Sequence, residues 1–216
     1  MKRPKKPGPK LFAHDRALGV RFVAGADEAG RGCLAGPLVA AAVMFDTERL
    51  RREDIRALAG LNDSKLQTPA ARAALYPVIL RVAAKVSIVS RCASGIDARG
   101  LHVTNLAALR EALDNVACDG AICLSDGFNL GDIGHEHRAV IRGDATSAAI
   151  AAASVLAKET RDRYMRRVGE RNPGWGFAEH VGYASPEHRS AIQRLGVTPL
   201  HRLSFQSAAY QQLTLG

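Results

Sequence analysis

The sequence has few cysteines, and their spacing excludes two kinds of site. Only Cys33, Cys92, Cys118 and Cys123 are present, and no two of them form a Cys-x-x-Cys pair. Structural zinc sites and disulfide frameworks require closely spaced or numerous cysteines. We therefore expect four free thiols in a reducing compartment.

Long apolar runs are also absent. No run reaches the length of a membrane-spanning helix, and residues 1–10 carry no apolar segment typical of a secretory signal. Apolar residues make up 47% and charged residues 24% of the 216-residue chain, which is typical of a globular protein. The sequence predicts one domain over residues 19–216, located in the cytoplasm and without membrane association.

Positive charge is concentrated at the N-terminus. Five basic residues lie within the first ten positions, namely Lys2, Arg3, Lys5, Lys6 and Lys10. The net charge is +9, so residues 11–216 carry only +4. A segment rich in proline and lysine buries too little surface to fold alone, and residues 1–18 are expected to be a disordered basic tail. The tail is suited to loose phosphate contacts, and a solubilising extension without a binding role is an equal alternative.

Hydrophobic periodicity predicts an alternation of strands and helices. Strands are predicted at 21–26, 37–45 and 85–91 and within 120–127 and 137–144, and helices at 49–58, 69–84, 103–116, 145–167 and 186–195. The small residues of 147–154 favour close packing of their helix on a sheet. Gly30, Gly32 and Gly36 lack the spacing of a dinucleotide-binding loop, and a strand follows them, so that fold is not favoured.

Acidic residues stand at the ends of three strand-like segments. Asp27 and Glu28 follow the apolar run 20–26, and shorter runs lead into Asp126 and Asp144. A single acid at such a place is usually a solvated turn residue. If the strands share a sheet, their ends can converge, and four carboxylates repel one another unless divalent cations offset the charge. Because Mg²⁺ and Mn²⁺ prefer oxygen ligands, the pattern indicates a site for hard cations.

Several short motifs occur in an order that is typical of one family. They are the segments 27–32 (DEAGRG), 62–65 (NDSK), 126–127 (DG), 143–144 (GD) with 150–158 (IAAASVLAK), 161–162 (RD), 180–183 (HVGY) and 201–205 (HRLSF). The set spans 22–205 and resembles the bacterial ribonuclease HII family, the type 2 ribonucleases H. The resemblance implies a ribonuclease H-like α/β fold, with a mixed five-stranded sheet flanked by helices and a helical C-terminal segment.

The resemblance also implies an activity. Asp27, Glu28, Asp126 and Asp144 match the catalytic acids, which would hold two Mg²⁺ or Mn²⁺ ions. The implied enzyme is an endonuclease that cleaves the RNA strand of RNA/DNA hybrids. It would also nick duplex DNA on the 5′ side of a single ribonucleotide and leave 3′-hydroxyl and 5′-phosphate ends. We expect it to act as a monomer.

Other motif residues are implied to contact the substrate. Gly30, Arg31 and Gly32 fall on the loop that senses the 2′-hydroxyl, whose presence distinguishes RNA from DNA. Tyr183 falls on the tyrosine that packs against the neighbouring deoxyribose. Within the 62–65 motif, Ser64 and Lys65 are candidates for holding a phosphate, although Asp63 could instead cap the following helix.

Some features depart from the family pattern or leave alternatives open. Glu179 and Val181 stand where the family often has lysine, which puts backbone contacts from their loop in question. One alternative is another nuclease of the same fold, such as a junction resolvase, which would share the acids but need no ribose sensor. A second is a hybrid-binding module without catalysis, which the presence of all four acids opposes.

Overall fold

A mixed five-stranded sheet forms the centre of the computed structural model, which describes residues 7–62, 67–205, 207 and 210. The strands are β1 (Phe22–Ala29), β2 (Leu38–Asp46), β3 (Lys85–Arg91), β4 (Ile122–Asp126) and β5 (Glu136–Val140). Their order across the sheet is β3-β2-β1-β4-β5. β2 is antiparallel to β1 and β3, whereas β4 is parallel to β1 and β5.

Helices cover both faces of the sheet, so the expected α/β architecture is confirmed. They are α1 (Gly8–Ala17), α2 (Arg52–Ala57), α3 (Pro69–Val82), α4 (Ala93–Arg99), α5 (Leu101–Asp114), α6 (Ala148–Arg171), α7 (Phe177–His180) and α8 (Pro186–Leu195). α5 packs on one face and α6 on the other, and α7 and α8 belong to the C-terminal segment. Within the ranges that the structure describes, no helix has the length and apolarity needed to cross a membrane.

Strand alternation divides the core into two layers. On β1, Val23 packs with the α6 layer, whereas Ala24 and Ala26 pack with the α5 layer. At Gly25 the backbone of α6 approaches so closely that an added Cβ would lie 2.3 Å from the Ile150 nitrogen. The prediction that small residues allow close packing of this helix is confirmed. The same close approach requires a glycine at position 25 on β1, because any side chain there would collide with the helix backbone.

The N-terminal segment differs from its prediction. The expectation of a disordered tail over 1–18 was wrong for Gly8–Ala17, which forms α1. Leu11 and Phe12 of this helix are buried in the α6 layer, and Asp15 Oδ2 accepts a hydrogen bond of 2.9 Å from the nitrogen of Ala149. Burial against the core supplies the stabilisation that the local composition lacks. Residues 1–6 lie outside the described residues.

Several element boundaries also differ from the periodicity. β1 extends through Ala29, so Asp27 and Glu28 lie within the strand, because pairing with β2 continues through both residues. The sequence did not predict α4 or the short α7. α6 begins at Ala148, three residues later than predicted, and is capped by Ser147, whose Oγ accepts a hydrogen bond from the Ile150 nitrogen at 3.3 Å.

Candidate active site

Three aspartates meet where β1 and β4 end. Asp27 lies near the end of β1, and Asp126 is the last residue of its parallel neighbour β4. Asp144 lies in the short 3₁₀ turn that precedes α6. One carboxylate oxygen from each residue lies within 4.8 Å of the other two. The structure therefore brings three of the four predicted acids into one group.

Glu28 adjoins this group from the other side of the sheet. Consecutive strand residues face opposite ways, so Asp27 shares the α6 face with Gly25, whereas Glu28 shares the α5 face with Ala26. The Oε1 atom of Glu28 lies 3.6 Å from Nη1 of Arg31. Glu28 lines the same cleft as the aspartates, but it is not a member of the three-carboxylate group.

The carboxylate of Asp27 is costly to keep charged in the absence of a cation. Its side chain is buried, its Oδ1 accepts a 2.7 Å hydrogen bond from the Glu28 nitrogen, and the Ser154 hydroxyl also donates to it. Burial, together with the charges of Glu28 and Asp126, raises the pKa of Asp27 well above its usual value despite these donors. Such a shift marks a place where a bound cation would relieve an electrostatic penalty.

The turn before α6 ties two of the aspartates together. The Gly143 nitrogen donates to Asp126 Oδ1 at 2.7 Å, one residue before Asp144. Arg142 has the left-handed conformation, with φ 55° and ψ 45°, as the chain enters this turn. An added Cβ at Gly143 would lie 2.5 Å from Ile150 Cδ1, so a larger residue would require the Ile150 side chain to shift. The local backbone thus sets the direction of both carboxylates.

The residues of this group fit a hard divalent cation. The donors are carboxylate oxygens, at a mutual spacing that one ion or a pair of ions can bridge. No histidine or cysteine joins them among the described residues. The donor chemistry therefore favours Mg²⁺ or Mn²⁺ over zinc or copper.

The loop between β1 and β2 places the predicted glycines on the rim of the cleft. Gly30 has φ +96°, and an added Cβ there would lie 2.2 Å from Nε of Arg161, so glycine is required by both conformation and packing. At Gly32 an added Cβ would meet no atom within 4 Å. Arg31 lies between them, with its guanidinium carbon 4.7 Å from the centre of the Phe128 ring. Gly32 is thus the position at which the loop has an open side.

Tyr183 lines the same cleft and is attached to the glycine loop. Its backbone forms an isolated antiparallel bridge with Cys33, whose side chain is buried. The Nζ atom of Lys158 lies 5.0 Å from the centre of the tyrosine ring. Burial raises the pKa of both Tyr183 and Cys33. The side chain remains 42% exposed, so its ring is accessible to a ligand.

A buried arginine of α6 joins the two loops, and sequence reasoning assigned it no role. The side chain of Arg161 donates to three main-chain carbonyls at 2.8–2.9 Å, those of Ala35, Pro37 and Val181. Val181 has φ 44°, which is unusual for a β-branched residue, and its carbonyl is held by this bond. The departure from lysine at Val181 therefore falls on a structural turn.

Arg202 plays a similar part from the C-terminal segment. It is completely buried and donates to the carbonyl of Gly36 through Nε and Nη2 at 3.1 and 2.9 Å. Its Nη1 donates to the carbonyl of Arg31 at 3.1 Å. Burial lowers the pKa of Arg202 to about 10. The RD and HRLSF motifs contain both arginines, but their spacing does not show which carbonyls they bind.

Two predicted substrate residues cannot be placed. Ser64 and Lys65 lie in the segment 63–66, outside the described residues. The residues on either side of this segment are linked by Gln67, whose Nε2 donates hydrogen bonds to the carbonyls of Gly60 and Asn62 at 3.0 and 3.2 Å. The role of the two residues as phosphate contacts stays a prediction.

Comparisons with known proteins agree over most of the chain. The family model described as "Ribonuclease HII" matches residues 24–208. A protein named ribonuclease HII from Salinispora tropica is 47% identical over 202 residues, which cover 92% of this chain and 73% of the relative. The crystal structure of ribonuclease H2 from Pyrococcus horikoshii OT3 aligns with a TM-score of 0.75 and 23% identity, covering 89% of this chain and 98% of that one. The structure described as "Bst-RNase HIII in complex with Mn2+" aligns with a TM-score of 0.70 and 19% identity, covering 98% and 73%.

Proposed function

This chain belongs to the ribonuclease HII family of metal-dependent endoribonucleases, which act on RNA/DNA hybrids, and we propose that it also nicks duplex DNA at single embedded ribonucleotides. The proposed cut lies on the 5′ side of the ribonucleotide and leaves a 3′-hydroxyl and a 5′-phosphate. One observation carries the proposal: the aspartate group, the open side of the glycine loop and Tyr183 line a single cleft of about 670 Å³. Action as a monomer in the cytoplasm stays a prediction from the sequence.

We propose that Asp27, Asp126 and Asp144, with Glu28 beside them, hold two Mg²⁺ or Mn²⁺ ions. The oxygen-only donor set and the raised pKa of Asp27 support this assignment, as does the Mn²⁺ of the ribonuclease HIII structure. Such ions would activate a water and stabilise the leaving oxygen of the phosphodiester. The protein contributes the fixed positions of the acids, which follow from the ends of β1 and β4 and from the turn before α6.

Recognition of the ribose is assigned to the rim of the cleft. At Gly32 the loop has no side chain, so its backbone can approach a 2′-hydroxyl closely. The exposed ring of Tyr183 is suited to pack on the sugar of the next nucleotide, and the ammonium of Lys158 beside it favours a phosphate nearby. A junction resolvase would use the acids in the same way but has no need for this rim.

The test compares one duplex that carries a single ribonucleotide with the same duplex in which that 2′-hydroxyl is replaced by hydrogen. With Mg²⁺ or Mn²⁺ we expect cleavage of the first duplex only, and a chelator should abolish it. Gly32→Ala should lower this cleavage by about 100-fold, because a methyl group at the open side displaces the sugar. The fold should survive, because the added Cβ meets no atom within 4 Å.

The matched control is Gly95→Ala. Gly95 lies in α4, and an added Cβ there would be 3.5 Å from Cys92 Sγ, an ordinary contact outside the cleft. This variant should cleave like the wild type. Equal cutting of the two duplexes by the wild type, or full ribonucleotide cleavage by Gly32→Ala, would favour the resolvase-like alternative.

A further inference from the structure

Three histidines form a packed cluster next to Tyr183. They are His180, His188 and His201, and the second and third are 0% and 2% exposed. The rings of His180 and His188 stack with centroids 4.2 Å apart, and those of His188 and His201 lie 5.3 Å apart. Phe177 packs edge-on against His188. Because buried polar atoms need hydrogen-bond partners, the ring nitrogens of these imidazoles are each expected to donate or accept a hydrogen bond.

Hydrogen-bond partners determine where each ring carries its proton. The Thr198 nitrogen donates to Nδ1 of His201 at 2.8 Å, so a neutral His201 carries its proton on Nε2. This Nε2 lies 3.2 Å from Nε2 of His188, which must therefore accept. The proton of His188 is then on Nδ1, which donates to the carbonyl of Tyr183 at 2.8 Å. Hydrogen bonds thus run in one direction, from Thr198 through both rings to Tyr183.

The third ring has the same kind of arrangement. The Gly182 nitrogen donates to Nδ1 of His180 at 3.1 Å, so Nε2 of this ring carries the proton and donates to the carbonyl of Trp175 at 2.6 Å. Each of the three rings thus has one nitrogen placed to accept a hydrogen bond and one placed to donate. A second proton on His188 would place two N–H groups against each other across the 3.2 Å contact with His201.

The electrostatic surroundings oppose a charge on His188. Burial, followed by the neighbouring His180 and His201, lowers the pKa of His188 to about 4. Burial also lowers the pKa of His201, whose ring faces Tyr210 at 6.4 Å. Glu187, on the same helix as His188, is exposed. Burial thus favours the neutral form of both rings.

The two ends of this chain of hydrogen bonds flank the glycine loop. On one side Cys33 forms an isolated bridge with Tyr183, and on the other Ala35 forms one with His201. The loop is therefore bonded to both segments, and the His188–His201 contact joins the two segments directly. Together these contacts fix the separation of Tyr183 from the loop that carries Gly32.

We propose that His188 and His201 are positioning residues that set the place of Tyr183 relative to the glycine loop, and thereby the fit of the sugar beside the ribonucleotide. The inference rests on the proposed role of Tyr183. The imidazoles touch no substrate and act through the tyrosine backbone. Their effect on cleavage should therefore depend on the presence of the tyrosine ring.

The first test uses two amide replacements at His188. In His188→Asn the amide nitrogen lies near the place of Nδ1 and can still donate to Tyr183, whereas in His188→Gln it lies near the place of Nε2 and cannot. His188→Gln should lower kcat on the single-ribonucleotide duplex by about 10- to 100-fold with a smaller change in KM, and His188→Asn should retain most of kcat. Equal loss in the two variants would overturn the proposal.

A double mutant separates positioning from general stability. In a Tyr183→Ala background, His188→Gln should lower kcat no further, because the side chain that it positions is gone. An additional full loss in the double mutant would show that His188 acts elsewhere. If the wild type does not distinguish ribonucleotide from deoxyribonucleotide, the proposed function fails, and the proton positions remain testable without activity.

The proton positions are measured by ¹⁵N NMR of the histidine rings in the wild type. We expect Nδ1–H on His188 and Nε2–H on His180 and His201. Because the pKa of His188 is lowered from 6.5 to about 4, stability should fall as pH decreases between these values, since the unfolded chain binds the proton first. This slope should be smaller in His188→Asn. An Nε2–H tautomer or a positive charge on His188 at about pH 6 would contradict the proposal.

Discussion

Asp27 and Glu28 are neighbours in sequence, but their side chains have different surroundings. Alternation along β1 places Asp27 on the α6 face with the other aspartates and directs Glu28 towards Arg31. The pKa of Asp27 is raised by burial and by the charges around it, so folding of the metal-free protein is opposed by this carboxylate above its unfolded pKa. A carboxylate at this place costs stability unless a cation binds beside it.

Asp27→Asn should therefore stabilise the metal-free protein at neutral pH and nearly abolish activity. Loss of this proposed ligand should lower turnover by more than about 100-fold, and Mn²⁺ should no longer raise the melting temperature. Thermal unfolding in chelator and in Mn²⁺, together with cleavage rates, checks both parts. Asp46→Asn is a control with the opposite expected sign. Arg21 donates to Asp46 at 2.8 Å and lowers the pKa of this carboxyl, so removing its charge should destabilise the protein. A lower metal-free melting temperature for Asp27→Asn would contradict the electrostatic account.

Among the elements, α6 determines the site, and α1 supports it. The first turn of α6 directly follows Ser147 and the turn that holds Asp144, and its Ala149 nitrogen is capped by Asp15 from α1. A carboxylate near a helix N-terminus also interacts favourably with the helix dipole. α1 thus contributes to the core and to the start of the helix that carries Ser154 and Lys158.

Asp15→Ala should lower the free energy of unfolding by about 1–2 kcal/mol, because the helix loses a buried cap. Asp15→Asn should cost less, because its amide oxygen can still accept the bond from Ala149. Denaturant unfolding at neutral pH measures both values. Asp119→Ala, at an exposed position, should change the value by no more than about 0.5 kcal/mol. An equally small effect at Asp15 would mean that α1 does not support α6.

In the whole molecule, the positive charge is unevenly distributed. The net charge is +9, and Lys2, Arg3, Lys5 and Lys6 precede the first helix. The formation of α1 changes the experiment that tests the basic tail. A deletion that removes Leu11 and Phe12 would disturb the core, so its effect on binding would not report on charge alone.

Deletion of residues 1–6 removes four positive charges and leaves α1 complete. If these residues bind phosphates, the affinity for all duplexes should fall about equally. The slope of log affinity against log salt should then decrease by roughly 0.9 for each phosphate that the shortened protein no longer neutralises. Binding titrations at several salt concentrations measure the slope, and Asp15→Ala in the full-length chain serves as the control for indirect destabilisation. An unchanged slope would favour the solubilising role.

Local sequence patterns were sufficient for much of this structure. Strand β3 and helix α8 have the predicted bounds, Lys85–Arg91 and Pro186–Leu195, because alternation, a proline at the helix start and a following glycine are properties of neighbouring residues. The family followed from motifs in a fixed order, and the acids at the ends of strand-like runs indicated that Asp27 and Asp126 can converge if their strands share a sheet. These inferences need only the residue types and their spacing.

Tertiary contacts determined the rest. The helical state of 8–17 depends on burial against α6, and Asp15 is 134 positions from the residue that it caps. Arg161 and Arg202 bind carbonyls that lie 124 and 166 positions away, and no local period encodes such partners. The proton positions of His188 and His201 likewise depend on atoms from three separate segments. Periodicity and spacing report only on nearby residues, whereas the folded chain selects which distant groups meet and in which direction each hydrogen bond runs.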